Sequence, residues 1–159
     1  MLNLAWGANR LWLAAAAHAA RRFRRALANP AAAQTEVLKR IIRANQTCEF
    51  GREAGFAQIT SPVEFQRRIL PADYQDYAPT ITRMAAGESG LLTAEPVLLY
   101  ELSSGSTAAS KLIPYTARLQ CEFQAGLAAW ITNTYRHCPD LTCGPAYWSV
   151  TPLTGAPPE

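Results

Sequence analysis

The chain has 159 residues, with 49% apolar and 17% charged side chains and a formal net charge of +3. The apolar share supports a core of ordinary size and excludes wholesale disorder, and the length fits one domain or part of a larger one. So small a net charge, taken over the whole chain, argues against nucleic acid as a partner.

Trp12, Ala16, Ala20, Phe23 and Leu27 recur every three or four residues and predict a helix with one apolar stripe. Arg21, Arg22, Arg24 and Arg25 lie opposite that stripe and read as a solvated face; they give residues 1–60 nine basic side chains against three acidic ones. A basic helix lying on a membrane surface is the competing reading of the same face. The Ala-rich run from Leu11 to Ala20, broken by His18, falls far short of the ~20 apolar residues of a membrane span. It is a poor signal peptide too, because no basic residue precedes Arg10 and an Arg cluster follows the run. Asn29-Pro30 then reads as an N-cap and first helical residue. The helix it opens has Val37, Leu38, Ile41 and Ile42 as its buried face and ends near Asn45.

Gly51 and Gly55 punctuate the next loop, and Ser61-Pro62-Val63-Glu64 is a capping box ahead of Phe65 and Ile69. Pro71, Pro79 and Gly87 divide the stretch beyond Leu70 into short helical pieces that hold Tyr74, Tyr77, Asp73 and Asp76. The two aspartates have the spacing of an acid/base pair, but Asp in a first helical turn is the commoner arrangement. Beyond Gly90 the pattern changes. Val97-Leu98-Leu99-Tyr100 is a continuous apolar run that predicts a buried strand. Leu112-Ile113-Pro114-Tyr115 predicts a second strand, with Pro114 at an edge or an end. Thr116 caps a long helix whose buried side is Leu119, Phe123, Leu127, Trp130 and Ile131, and Ala146–Val150 is a third strand candidate. The fold class is therefore α/β: residues 1–90 mainly helical, then strand, loop, strand, helix and strand over 91–159. Three short strands are too few for these helices, so the chain reads as the incomplete start of a large N-terminal domain.

Cys48, Cys121, Cys138 and Cys143 come without a secretory context, which implies reduced thiols and a cytoplasmic location. His137, Cys138 and Cys143 cluster, with Cys121 upstream, but Cys-x4-Cys is not a common zinc spacing. The thiols read as small hydrophobes, and no metal site is expected.

The strongest chemical signature is the loop Ser103-Ser104-Gly105-Ser106-Thr107-Ala108-Ala109-Ser110-Lys111. Four hydroxyls, a glycine that lets backbone amides approach and a terminal lysine suit the oxygens of a phosphate. It is no Walker A loop, since no Gly precedes Lys111 and no Ser or Thr follows it. It is no Ser-x-x-Lys nucleophile, since Ala108 stands three residues before the lysine. By composition alone a plain polar connection between two strands accounts for it equally well.

The loop, with its flanks Leu92-Thr93-Ala94-Glu95-Pro96-Val97 and Leu112-Ile113-Pro114-Tyr115, resembles the GH3 family of acyl-acid amido synthetases. So do Asn45-Gln46-Thr47-Cys48-Glu49-Phe50-Gly51-Arg52, Gly55-Phe56, Asp73-Tyr74-Gln75-Asp76-Tyr77 and Arg83-Met84-Ala85-Ala86-Gly87-Glu88, so the similarity runs from about Asn29 to Trp148. The resemblance implies an adenylate-forming ligase that uses ATP and Mg2+ to activate a carboxylic acid, release pyrophosphate and pass the acyl group to an amino acid. It matches Ser103, Ser104, Gly105, Ser106 and Thr107 to the family's nucleotide-binding first motif and Lys111 to its closing lysine. Ser106 stands where the family usually has Thr, and Ala108-Ala109-Ser110 replaces a longer, glycine-containing stretch. Members are several times longer than this chain, so later nucleotide motifs and most of the acyl pocket have no counterpart here. No catalytic residue is assigned, and the chain alone is expected to be inactive. The alternative is a non-enzymatic remnant or helical interaction module that self-associates through uncovered apolar surface.

Overall fold

Helix-forming stretches alternate with Gly, Pro, Ser and Asp punctuation, and the elements fall between those marks. The computed structural model describes residues 4–103 and 111–147. In chain order it has α1 (Leu4–Ala28), α2 (Pro30–Asn45), α3 (Glu49–Glu53), α4 (Pro62–Arg68), α5 (Tyr74–Ala85), β1 (Val97–Ser103), β2 (Lys111–Thr116) and α6 (Ala117–His137). Short 3-10 turns stand at Phe56–Gln58 and Pro139–Cys143. The mainly helical start, followed by strands and a further helix, agrees with an incomplete α/β domain. The described chain forms two compact units, residues 4–30 with 118–147 and residues 31–103 with 111–117.

In the first unit the buried positions are alanines: Ala16 and Ala20 on α1, Ala128 and Ala129 on α6. Asn9 ties α1 to the turn after α6, its amide donating to the carbonyls of Thr142 at 2.9 Å and Gly144 at 3.0 Å. Thr142, itself buried, donates its hydroxyl to Pro139 O at 2.7 Å. The expected apolar faces are thus only partly buried. Trp12, Phe23 and Leu27 on α1 and Leu119 on α6 are exposed, as are Phe123 (59%) and Trp130 (62%). The reason is the number of layers: small residues face inward, and among the described residues of this unit nothing covers the large ones. Leu127 and Ile131 are half-buried.

The second unit has a core of Ile42, Phe56 and Ile59, with Leu38, Phe50, Phe65 and Ile69 packed against it. Phe50 stands edge-on to Phe56, with ring centroids 5.7 Å apart, and to Tyr77 at 6.0 Å. α2 ends at Asn45 as predicted, but Val37 and Ile41, expected inside, are exposed. Gly51 lies within α3 rather than in a loop. Cys48, 1% exposed, caps that helix: its Sγ accepts from Gly51 N–H at 3.3 Å and donates to Asn45 O at 3.0 Å. The helix runs so close beneath Asn45 that a Cβ on residue 51 would strike the Asn45 carbonyl.

The Ser61 cap forms, its hydroxyl accepting from Glu64 N–H at 3.2 Å. Glu64 reaches one residue further back than a capping box requires, to Thr60 N–H (2.7 Å) and Thr60 Oγ1 (2.8 Å). Those bonds hold the Glu64 carboxyl below its ordinary range. Pro79 does not divide the next segment but lies inside α5. It forfeits one intrahelical bond in mid-helix, while Ile81 and Met84, both buried, hold the later turns. The helix closes where Gly87 N–H bonds Met84 O (3.0 Å) and Glu88 N–H bonds Arg83 O (3.1 Å), a Schellman ending that needs the positive φ (104°) of Gly87.

β1 and β2 form a two-stranded antiparallel sheet with a register shift between Val97 and Leu99. Both strands outrun their predicted spans. β1 is not the buried strand expected: Leu98 and Leu102 are exposed, because among the described residues no further strand or layer covers that face. Among the described residues the third strand candidate, Ala146–Val150, contributes no strand. Ala146 and Tyr147 are irregular, and residues 148–150 lie outside the described ones.

Two glycine substitutions separate close packing from helix propensity. Gly51→Ala is expected to destabilise by more than about 2 kcal/mol, since backbone must move to admit the methyl group. Gly126→Ala, where a Cβ meets open space on α6, is expected to stabilise by about 0.5–1 kcal/mol. Urea titrations of the two variants check both signs.

Candidate functional site

An antiparallel ladder brings the two ends of its connection together. Ser103 pairs with Lys111, Leu102 with Leu112, Glu101 with Ile113 and Tyr100 with Pro114. The candidate loop therefore leaves and rejoins the sheet at one rung. Ser104, Gly105, Ser106 and Thr107 lie outside the described residues; Lys111 and the backbone of Ser103 lie within them. The exposed Lys111 carries its Nζ 5.4 Å from the centroid of the Tyr74 ring.

Tyr74 also secures the strand behind that lysine. Its hydroxyl accepts from Leu112 N–H at 2.9 Å and lies 3.4 Å from Leu112 O, to which it donates. Both main-chain groups of Leu112 therefore face the outer edge of β2 and leave β1 to its neighbours, as antiparallel alternation requires. Pro114, two residues on, faces the same edge, where its missing N–H costs no ladder bond. Tyr100, paired with Pro114, has its phenol pushed up by burial.

The approach to β1 is fixed from α2 and α3. Asn45 Oδ1 accepts from Thr93 Oγ1 (3.1 Å) and Ala94 N–H (3.0 Å), while its Nδ2 donates to Ile41 O (2.9 Å). Glu49 N–H donates to Gly90 O at 2.8 Å and Phe50 N–H to Leu91 O at 3.0 Å, so the open N-terminal amides of α3 are filled by that same segment. Arg83 then bridges two carboxylates, meeting Glu49 at 2.9 and 3.3 Å and Glu88 at 2.8 Å. The Arg83 bond holds the Glu49 carboxyl below its ordinary range, and both carboxylates push the Arg83 guanidinium up. With their charges directed at one another, these three groups hold structure in place.

Of the remaining sequence candidates, Asp76 Oδ2 accepts from Asp73 N–H at 2.7 Å, the geometry of a helix cap and not of an acid/base pair. Cys48 is buried, and Cys121, Cys138 and Cys143 are exposed; all four are free thiols. His137 Nδ1 lies 2.9 Å from the carbonyl of Asn133. Among the described residues no group of three or more His, Cys, Asp or Glu is placed to hold a metal ion, and no helix is long and apolar enough to cross a membrane. The supporting roles of Asn45, Glu49, Tyr74 and Arg83 are not visible in local pattern. Their partners lie 34 to 49 residues away, and the one signal for them was that all four sit in the segments carrying the family resemblance.

A helical start leading into a two-stranded antiparallel sheet and a further helix has the form of an incomplete α/β N-terminal domain. The chain belongs to the GH3 family: the family's N-terminal domain model matches residues 19–151. It is 40% identical over 86 residues to a probable indole-3-acetic acid-amido synthetase, GH3.12, of Oryza sativa subsp. japonica, covering 54% of this chain and 14% of that one. A jasmonoyl–L-amino acid synthetase, GH3.3, of the same organism is 40% identical over 86 residues, covering 54% and 19%. Among solved structures it is similar to the AtGH3.15 acyl acid amido synthetase in complex with 2,4-DB, with a TM-score of 0.57 and 25% identity over 65% of this chain and 18% of that one. The chain thus spans less than a fifth of the length of these relatives.

The ion pair makes a pH-dependent contribution. Because folding lowers the Glu49 pKa, its stabilisation is present above the ordinary carboxylate pKa and is lost as pH falls through the lowered value. The gap in melting temperature between the chain and Glu49→Gln is expected to be widest near neutral pH and to shrink steadily as pH falls below the ordinary carboxylate range. A gap that stays constant from neutral to acid pH would contradict the assignment.

Proposed function

We propose that this chain is the N-terminal part of an ATP-dependent acid–amino acid ligase and that the segment 103–111 cradles the phosphates of the nucleotide. The carrying observation is the Ser103–Lys111 rung, which puts a cation at the mouth of a hydroxyl-rich loop on a hairpin held from α5. Family membership supports the same reading, since the relatives' names describe amido synthetases acting on indole-3-acetic acid or forming jasmonoyl conjugates. ATP suits this donor set. The Lys111 ammonium offsets phosphate charge, and the hydroxyls and amides around Gly105 donate to its oxygens. When bound, ATP supplies the adenylyl group that gives a carboxylate a good leaving group, with pyrophosphate released and the acyl group passed to an amino acid. Mg2+ accompanies the nucleotide, and no residue of this chain is assigned to it.

Catalysis needs transition-state groups held in register, and more than four-fifths of the relatives' length lies outside the match. The isolated chain is expected to bind MgATP weakly and to form no AMP or pyrophosphate from ATP and a carboxylic acid. Calorimetric titration is expected to show binding that Lys111→Ala and Gly105→Val abolish, with their melting curves unchanged. Binding that survives in both variants would refute the cradle, and turnover at enzymic rates would refute the need for the remaining domain.

The exposed Phe123 and Trp130 favour a second reading, a self-associating helical module. Self-association that Phe123→Ser with Trp130→Ser abolishes, in a chain that binds no nucleotide, would favour that reading over the first.

A further inference from the structure

Tyr74 touches two different parts of the hairpin, the Lys111 ammonium with its ring face and the Leu112 backbone with its hydroxyl. We propose that Tyr74 is the positioning residue of the candidate site: it sets where the Lys111 ammonium stands and clamps the end of β2 from which the loop departs. The inference rests on the phosphate-binding reading of that loop and extends it to a residue on another element.

Three features carry it. Tyr74 is the first residue of α5, and the bond from Asp73 N–H to Asp76 Oδ2 fixes the turn from which it projects. Its hydroxyl fills both main-chain groups of Leu112 on the outer edge of β2, the place a neighbouring strand would take, so the hairpin cannot slide without losing both bonds. Its ring lies within cation–π range of Lys111 Nζ, which restrains an exposed side chain whose rotamer freedom would otherwise be lost when an anion binds. The partner is an uncharged ring and not a carboxylate, so the ammonium keeps its net charge for phosphate oxygens. A lysine without this support would have to be ordered at the moment of binding.

The test uses the 159-residue chain with MgATP as probe, comparing the native sequence with Tyr74→Phe, Tyr74→Leu, Lys111→Ala and the Tyr74→Leu/Lys111→Ala pair. NMR of the Lys111 Hε protons reads the ring directly: an upfield ring-current shift is expected in the native chain and in Tyr74→Phe, and is expected to vanish in Tyr74→Leu. Hydrogen exchange at Leu112 is expected to quicken in both Tyr74 variants. The affinity for MgATP is expected to fall about twofold in Tyr74→Phe and about fivefold or more in Tyr74→Leu. With Lys111 gone no MgATP binding is expected in either background, so the Tyr74→Leu/Lys111→Ala pair is expected to match Lys111→Ala in affinity while keeping the faster Leu112 exchange of Tyr74→Leu. Loss of affinity on Lys111→Ala together with unchanged affinity in Tyr74→Leu would overturn the positioning role and leave the phosphate-binding reading intact. MgATP binding indifferent to Lys111→Ala would overturn that reading, and this inference with it. Should Tyr74→Leu fail to fold, Tyr74→Phe decides: unchanged Leu112 exchange or a lost ring-current shift overturns the clamp.

Discussion

The second unit depends on the junction at Asn45, where one residue ends a helix, seats the next and holds the approach to the sheet. Its carbonyl accepts from the amide and the thiol of Cys48, its side-chain oxygen accepts from Thr93 and Ala94, and its side-chain amide turns back to Ile41. Each group is used, and the close approach leaves no room for a Cβ at residue 51. Asn45 is half-buried, and its partners taken together favour one arrangement of α2, α3 and residues 90–94. Arg83 adds a peripheral tie between α3 and the end of α5, exposed enough that its worth is specificity of approach more than stability.

The hairpin is held differently. A two-stranded sheet is marginal by itself, and its open edges are usually completed by further strands. Here Tyr74 stands in at one rung of β2, and Pro114 removes the need for a partner at the next outward-facing position. The exposed face of β1, with Leu98 and Leu102 open to solvent, agrees with a sheet whose other elements belong to the rest of a GH3-type domain. In the first unit the exposed Phe123 and Trp130 on α6 make the same point from a helix: alanine-lined contacts bury little area, and the large side chains are left for another layer.

The elements were largely legible because the chain marks its own boundaries. Pro30, Ser61, Asn45 and Gly87 all stop or start helices where capping physics puts them, and the two strands fall on the two apolar runs beyond Gly90. The burial of those elements was not legible. Periodicity says which side chains share a face, but whether Trp130 or Leu98 is covered depends on layers that local pattern cannot count. Pro79 and Gly51 misled for a related reason: each is a breaker by propensity and each is overridden, by buried neighbours in α5 and by a close approach to Asn45. At the candidate site, the loop's chemistry was plain in its composition, while its support by Tyr74 was not, because a contact spanning 38 residues leaves no local trace.

If the junction works as its bonds indicate, Asn45 couples α2, α3 and the approach to β1 into one cooperative unit. Hydrogen exchange on Asn45→Ala, read amide by amide, tests that coupling most directly. Exchange is expected to quicken together at Ala94, which loses its acceptor, and at Glu49 and Phe50, whose bonds to Gly90 and Leu91 are not touched by the substitution itself. Faster exchange at Ala94 alone, with Glu49 and Phe50 unchanged, would show that these contacts are independent and would contradict the coupling.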